Sequence, residues 1–165
     1  AIGVSHVMAN TMVDVLNVYR ERYGIEFCAL AMGNVYGVRQ RPEDGVVAAF
    51  ASAVIRGIDA EIYGNGKHTR DFVYIDDAVD ALARAYDRGG GLVINIGTGI
   101  ATSIEEVWKL IAMGSSLKAR KTATREEDVT RLALSNVRAK IQLGWAPWTK
   151  VADGIASLRE TFPKR

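Results

Sequence analysis

The sequence predicts an α/β fold, because segments with helical periodicity alternate with short apolar runs typical of strands buried on both faces. The clearest of these runs are IEFCALAM (25–32) and LVINI (92–96). Of the 165 residues, 48% are hydrophobic and 24% are charged, as in an ordinary globular protein, and no apolar run approaches the roughly 18 residues of a membrane span. We therefore expect a single domain over residues 1–165 and no membrane association.

The first half of the chain opens with a predicted helix over 4–23, where apolar residues recur at helical spacing and Gly24 provides the stop. The buried strand 25–32 follows, and Gly33 with the polar stretch VRQRPEDG predicts a loop. The next elements are a helix over 46–56 that ends at Gly57 and a short strand, AEIYGNG (60–66), that enters a turn.

The stretch TRDFVYIDD (69–77) leads into a helix predicted over 76–87, with Asp76 as its N-cap. Asp80 precedes Arg84 by four residues, which favours an ion pair along the helix. Apolar side chains at helical spacing predict the face that packs on the core: Val79, Leu82, Ala83 and Tyr86.

The rest of the chain begins with strand 92–96 and a capping box, Ser103 to Glu106, that opens a helix over 104–113. A strand near 117–123 and helices near 135–143 and 150–161 complete the chain. Two central strands cannot cover the apolar faces of five or six helices. We therefore expect strands to be missing, or a partner to supply the cover.

Charge and cysteine content limit the function classes. The net charge of +2 is too small for a nucleic-acid-binding surface, although one basic stretch could hold a small anion: Lys118, Arg120, Lys121 and Arg125. Cys28 is the only cysteine, so a disulfide framework and a thiolate metal site are excluded, and we expect a reducing, cytoplasmic setting. No signal peptide is visible, and a chain that begins at Ala1 is expected to lack upstream residues.

Three further features have simple interpretations. GTGIAT (97–102) lies between a strand and a helix, but it matches a dinucleotide fingerprint poorly and favours a tight turn. His6 and His68 lie far apart without carboxylates at metal-ligand spacing, so no metal site is expected. Trp145 and Trp148 favour packing between the last helices over a stacking platform.

Arg70 is the residue in TRDFVYIDD that neither strand nor helix formation requires. It follows a glycine-rich turn, and a planar guanidinium at the end of a loop suits bidentate phosphate binding. A surface ion pair with Asp71 explains it equally well on the residues alone.

Five motifs, in order and spacing, resemble the C-terminal half of the extended short-chain dehydrogenase/reductase family. They are GNVYGVRQ (33–40), IYGNGKHTRDFVYIDDAVDALARA (62–85), INIGTG (94–99), REEDVTRLALS (125–135) and LGWAP (143–147). That family contains the nucleotide-sugar epimerases and dehydratases, with UDP-glucose 4-epimerase as a type. The resemblance implies an incomplete Rossmann-type sheet with its late strands only (1–40 and 90–113), plus a small substrate-binding lobe (41–89 and 114–165).

The resemblance also implies a substrate site. Arg70 and Arg125 would hold the diphosphate from two sides, and Asp128 would orient the ribose or the neighbouring arginine. Asn34 would contact the diphosphate or the sugar. The backbone groups of Glu61 and Tyr63 would flank the base.

The family's redox chemistry uses a Tyr-x-x-x-Lys pair at the start of the long helix, and this chain departs from it. Ile2 occupies the tyrosine position and His6 the lysine position, so no catalytic residue is intact. The family's NAD-binding glycine motif would lie upstream. We therefore expect no cofactor for this chain alone, with NAD belonging to the full-length family.

Three hypotheses follow. The first is a truncated, degenerate homologue that binds a nucleoside diphosphate sugar, UDP-linked, without catalysis. The second is half of an active NAD-dependent 4-epimerase or 4,6-dehydratase, completed by another segment, with His6 as a substitute acid or base. The third is a structural remnant that binds nothing. In each case we expect a homodimer through helix 4–23, and neither nucleic acid nor membrane as partner.

Overall fold

A computed structural model describes residues 3–123 and 130–163. The helices are α1 (Val4–Tyr23), α2 (Val46–Arg56), α3 (Ile75–Ala85), α4 (Ile104–Ile111), α5 (Val137–Leu143) and α6 (Val151–Glu160), with a short 3-10 turn at Pro42–Asp44. The strands are β1 (Cys28–Met32), β2 (Asn34–Tyr36), β3 (Ala60–Tyr63), β4 (Thr69–Arg70), β5 (Phe72–Tyr74), β6 (Leu92–Ile96), β7 (Thr102–Ser103) and β8 (Ala119–Thr122).

The strands pair two by two. Within the described ranges, β1 pairs with β6, β2 with β5 and β3 with β8, all parallel, while β4 pairs with β7 antiparallel. The α/β prediction is thus confirmed, and the parallel sheet is present only as short pieces. β1 and β6 are the two apolar runs of the sequence, and they lie side by side over five residue pairs.

Two apolar clusters fill the interior. One lies between α2, β3, α4 and α6, where the rings of Phe50 and Trp108 meet edge to face at 5.2 Å. The other packs α3 and α5 against β1 and β6, around Ile94, Leu143 and Trp145. The division into a sheet layer and a substrate-binding lobe at the boundaries given above stays a prediction.

One loop and one strand of the sequence-based prediction need correction. The segment after Gly33 is not a continuous loop, because residues 34–36 form β2 beside β5. Gly33 permits this course, since a Cβ there would lie 2.8 Å from the Asp71 carbonyl oxygen. The strand predicted over 25–32 begins only at Cys28.

Helix α3 differs from its prediction in two ways. It begins at Ile75 with Tyr74 as N-cap, so the prediction that Asp76 caps it is wrong. The ion pair of Asp80 with Arg84 is confirmed, with 2.7 Å between Oδ2 and Nε.

The predicted core-facing stripe of α3 is also wrong. Val79, Leu82 and Tyr86 are 53%, 54% and 95% exposed, and the buried residues are instead Asp77, Ala78 and Ala81. Small side chains let α3 approach β1 and β2 closely, whereas the large apolar ones point away from them.

Two other predictions are confirmed. Helix α1 has the predicted bounds and ends at Gly24, whose φ of 67° suits a glycine C-cap. Ser103 caps α4, because its Oγ accepts a hydrogen bond from the Glu106 amide at 3.1 Å. No helix in the described part of the chain is long and apolar enough to cross a bilayer.

Candidate functional site

A pocket of about 360 Å³ lies where β3 and β4 meet the starts of α2 and α4. Its apolar lining includes Val46, Phe50 and Ile104. Its polar lining comes from Asn34, Glu43, Glu61, Tyr63, His68 and Arg70. A concave apolar site with a few convergent polar groups is the usual form of a small-molecule site.

Strand β3 brings two of the predicted site residues to this pocket. Its burial alternates, with Ala60 and Ile62 buried and Glu61 and Tyr63 exposed. Ala60 and Ile62 anchor β3 in the core, while Glu61 and Tyr63 line the pocket together with Ile62.

The turn that leads to Arg70 is held by backbone hydrogen bonds. The amides of Ile104 and Glu105, at the start of α4, donate to the carbonyls of His68 and Gly66 at 3.2 and 3.1 Å. Gly66 has a φ of 76°, a conformation that a side chain would strain. The position of the turn is thus fixed by α4.

Arg70 is half-buried and is held by its strand. Its backbone pairs with Thr102, and its Nη1 donates to the Thr69 carbonyl at 3.0 Å. Arg70 is among the residues that line the pocket.

Asp71 is not on the surface, so the interpretation of Arg70 through a surface ion pair with Asp71 is wrong in its premise. The Asp71 side chain is fully buried. Its Oδ1 accepts from the amide and hydroxyl of Thr98 at 2.8 and 2.6 Å. Its Oδ2 accepts from the amides of Gly99 and Leu134, each at 2.9 Å.

These bonds explain the glycine-rich turn GTGIAT. The amides of Thr98 and Gly99 donate to Asp71, and the Ile100 amide donates to the Thr98 hydroxyl at 3.1 Å. A dinucleotide fingerprint needs such amides directed at a pyrophosphate. The turn therefore does not fit that cofactor, and no chemistry is assigned to it.

Three of the predicted positions, Ile2, Arg125 and Asp128, lie outside the described residues. The described chain on either side of the last two borders the site. Before them, the Thr122 carbonyl accepts from the Gly64 amide at 2.9 Å. After them, the Thr130 carbonyl accepts from the Thr69 amide at 3.0 Å.

His6 lies on the exposed surface of α1, where its Nε2 is 3.1 Å from Nδ2 of Asn10. It is not among the residues that line the pocket. The structure thus brings Asn34, Glu61, Tyr63 and Arg70 together and leaves His6 outside that group.

Glu43 and His68 line the pocket but were not predicted as site residues. His68 stands two residues before Arg70, in the turn that positions it, and this closeness is a signal that the sequence offered. Glu43 lies in the polar stretch after β2, and only the three-dimensional approach of that stretch to β3 reveals it.

The basic stretch at β8 is partly neutralised within the fold. The Lys118 amide donates to Asp59 at 3.0 Å and the Arg120 guanidinium does so at 3.4 Å, and these bonds lower the pKa of the Asp59 carboxyl. Lys118, Arg120 and Lys121 are not in the lining of the pocket. Over residues 3–123 and 130–163, no cluster of His, Cys, Asp and Glu could hold a metal ion.

Comparisons with known proteins place this geometry in context. The sequence pattern of a family described as the NAD dependent epimerase/dehydratase family matches residues 4–97. A UDP-glucose 4-epimerase of Mycolicibacterium smegmatis is 43% identical over 89% of this chain and 49% of its own length. A putative UDP-glucose 4-epimerase of Methanocaldococcus jannaschii is 36% identical over 86% of this chain and 47% of its own length.

Solved structures of UDP-glucose 4-epimerases are also similar to this chain. The UDP-glucose 4-epimerase of Thermotoga maritima with UDP-glucose superposes with a TM-score of 0.92 at 34% identity, over 95% of this chain and 52% of that one. The Thermus thermophilus UDP-glucose 4-epimerase complex with NAD gives a TM-score of 0.85 at 32% identity, over 92% and 51% of the two chains. The chain therefore spans about half the length of the curated relatives it matches.

Proposed function

Since the chain belongs to the NAD dependent epimerase/dehydratase family, we propose that it binds a nucleoside diphosphate sugar, UDP-linked, in the pocket beside β3 and β4. The observation that carries the proposal is the convergence of Asn34, Glu61, Tyr63 and Arg70 on that one pocket. The similar Thermotoga maritima structure was solved with UDP-glucose, which supports the choice of ligand class.

The proposed role of Arg70 follows from the chemistry of the lining: it binds the diphosphate with charge-assisted hydrogen bonds. Arg125 and Asp128 lie outside the described residues, and their roles rest on the family resemblance: Arg125 holds the diphosphate from the other side, and Asp128 orients the ribose or that arginine. The Asn34 amide contacts the diphosphate or the sugar. The backbone of β3 at Glu61 and Tyr63 flanks the base.

The test is calorimetric titration with UDP and UDP-glucose. Replacement of Arg70 by alanine is expected to weaken UDP binding about 10- to 100-fold, the usual loss for hydrogen bonds to a charged partner. Arg22→Ala, which removes an exposed arginine on α1 outside the pocket, is the matched control and is expected to bind UDP as the unaltered protein does. Equal affinity of the Arg70 and Arg22 variants, or no binding at all, would contradict the proposal.

Binding without catalysis is the second part of the proposal. Isoleucine at position 2 cannot transfer a proton, and His6 lies outside the pocket lining. The half-enzyme hypothesis predicts a different result. Interconversion of UDP-glucose and its C4 epimer, appearing only when the first half of the Mycolicibacterium smegmatis relative is added, would support that hypothesis against ours.

A homodimer through α1 is the third part. An exposed apolar stripe runs along this helix and includes Val7, Met8 and Met12, which are 56%, 60% and 65% exposed. Burial of such a stripe against its copy is a common route to a symmetric dimer. We expect sedimentation equilibrium to give twice the chain mass, and Met12→Lys to give a monomer. Asn17→Lys, on the opposite face of α1, is expected to leave the dimer intact, and a monomeric unaltered protein would refute the dimer.

A further inference from the structure

His68 lines the pocket with a polar side chain that the fold itself does not use. The residue is half-buried and belongs to the pocket lining. Across the described ranges 3–123 and 130–163, its imidazole takes part in no hydrogen bond or ion pair. An imidazole carries at least one N–H donor, and a ligand in the pocket can accept from it.

The backbone that carries His68 is fixed along both edges. The antiparallel pairing of β4 with β7 continues to His68, because the Ile104 amide donates to the His68 carbonyl at 3.2 Å. On the opposite edge, the amide and carbonyl of Thr69 are bonded to segment 130–132 at 3.0 and 3.2 Å. Side chains alternate along such an extended segment, so His68 and Arg70 lie on the same face, roughly 6–7 Å apart along the chain.

The segment with His68 and Arg70 crosses the pocket from β3 to β2. At its start, a Cβ on Gly66 would lie 3.2 Å from a side chain of β3. At its end, the Asp71 carbonyl accepts a hydrogen bond from the Asn34 amide at 2.7 Å. His68 therefore lies nearer to β3, and Arg70 lies nearer to Asn34.

This order assigns the two side chains to different parts of the ligand. The proposed function has the base beside β3 and has Asn34 at the diphosphate or the sugar, so the nucleoside end of the ligand lies nearer to His68. We propose that His68 donates to the phosphoryl group next to the nucleoside, and that Arg70 binds the following phosphoryl group. Each contact is a hydrogen bond to an anionic oxygen, which is among the stronger kinds. The inference rests on the proposed function and adds a residue that distinguishes a nucleotide from a nucleoside.

The experiment compares uridine, UMP and UDP as ligands, with calorimetric titration for the nucleotides and NMR titration for the weaker uridine. His68→Ala is expected to weaken binding of UMP and of UDP about tenfold each, the usual loss for a hydrogen bond to a charged partner. It is expected to change uridine binding less than about twofold, since uridine has no phosphoryl group. Arg70→Ala is expected to weaken UDP binding by at least about tenfold and UMP binding less than about twofold.

Three further variants separate the N–H donor from shape and from charge. His68→Phe keeps a planar ring without a donor and is expected to lose as much UMP affinity as His68→Ala. His68→Gln keeps an N–H donor and is expected to stay within about threefold of the unaltered protein. Lys67→Ala removes the charge of an exposed neighbour outside the pocket lining and is expected to bind all three ligands normally. Circular dichroism shows whether each variant is folded.

Several results would overturn the inference and leave the proposed function standing, provided that the unaltered protein binds UDP and Arg70→Ala weakens it. Equal losses for uridine, UMP and UDP in His68→Ala would mean that the imidazole contacts the nucleoside. A loss confined to UDP would mean that it contacts the second phosphoryl group, and unchanged affinities would mean that it contacts neither. Equal UMP affinities of the phenylalanine and glutamine variants, or a loss in Lys67→Ala as large as in His68→Ala, would also overturn it. Absence of UDP binding by the unaltered protein would overturn the proposed function and this inference together.

Discussion

Replacement of Trp145 by alanine is expected to lower the free energy of unfolding by about 3–5 kcal/mol, the range for truncation of a large buried aromatic residue. Trp145 is fully buried in the cluster around β1 and β6. Its Nε1 donates to the Asp77 carbonyl at 2.9 Å, so the variant loses apolar contacts and a buried hydrogen bond together. Urea unfolding followed by circular dichroism measures the change.

Trp148 is the internal control, since it lies three residues further on and is 59% exposed. Trp148→Ala is expected to change the free energy of unfolding by no more than about 0.5 kcal/mol. Trp145→Phe keeps most of the ring contacts and removes the donor, so its loss is expected to fall between those of the two alanine variants. Equal losses for Trp145→Ala and Trp148→Ala would show that the two side chains contribute equally to the free energy of unfolding. The burial of Trp145 described above would then be wrong.

The prediction from sequence was accurate where local signals dominate. The bounds of α1 and α2 agree with the structure because each helix ends at a glycine in the left-handed region, Gly24 and Gly57. The strand 92–96 was recognised because an apolar run between turn residues has few other interpretations.

The prediction failed where a partner in space decides the outcome. Helix α3 carries two candidate faces, one with Val79 and Leu82 and one with Ala78 and Ala81. Periodicity alone favoured the face with the larger side chains as the buried one, whereas in the structure the face with the small side chains is buried. Which face of α3 is buried depends on how close the neighbouring strands lie to the helix. The sequence of the helix alone does not determine that distance.

In the candidate site, too, a locally determined residue could be predicted and a residue with distant partners could not. Arg70 could be selected because no local structure requires an arginine after the turn. The role of Asp71 could not be found in this way, since its partners Thr98 and Leu134 lie 27 and 63 residues further along the chain. A buried carboxylate and an exposed one look alike in sequence until their donors are known.

Phe72 provides the second large effect, and Phe72→Ala is expected to lower the free energy of unfolding by about 3–5 kcal/mol. The side chain is 1% exposed, and its ring meets Tyr36 edge to face at a centroid distance of 6.2 Å. Because Phe72 anchors the strand directly after Arg70 and Asp71, its loss removes the packing that holds this part of the site in place.

The control for Phe72 is Tyr86, an aromatic side chain of similar size that is 95% exposed at the end of α3. Tyr86→Ala is expected to change the free energy of unfolding by no more than about 0.5 kcal/mol. Thermal unfolding monitored by circular dichroism compares the two variants under one set of conditions. A larger loss for Tyr86 than for Phe72 would mean that the sequence-based assignment of the α3 stripe to the core was right and the packing described above is wrong. The expected result is a larger loss in the free energy of unfolding for Phe72→Ala than for Tyr86→Ala. That result would support β5, the strand after Arg70, as the packed support of the pocket.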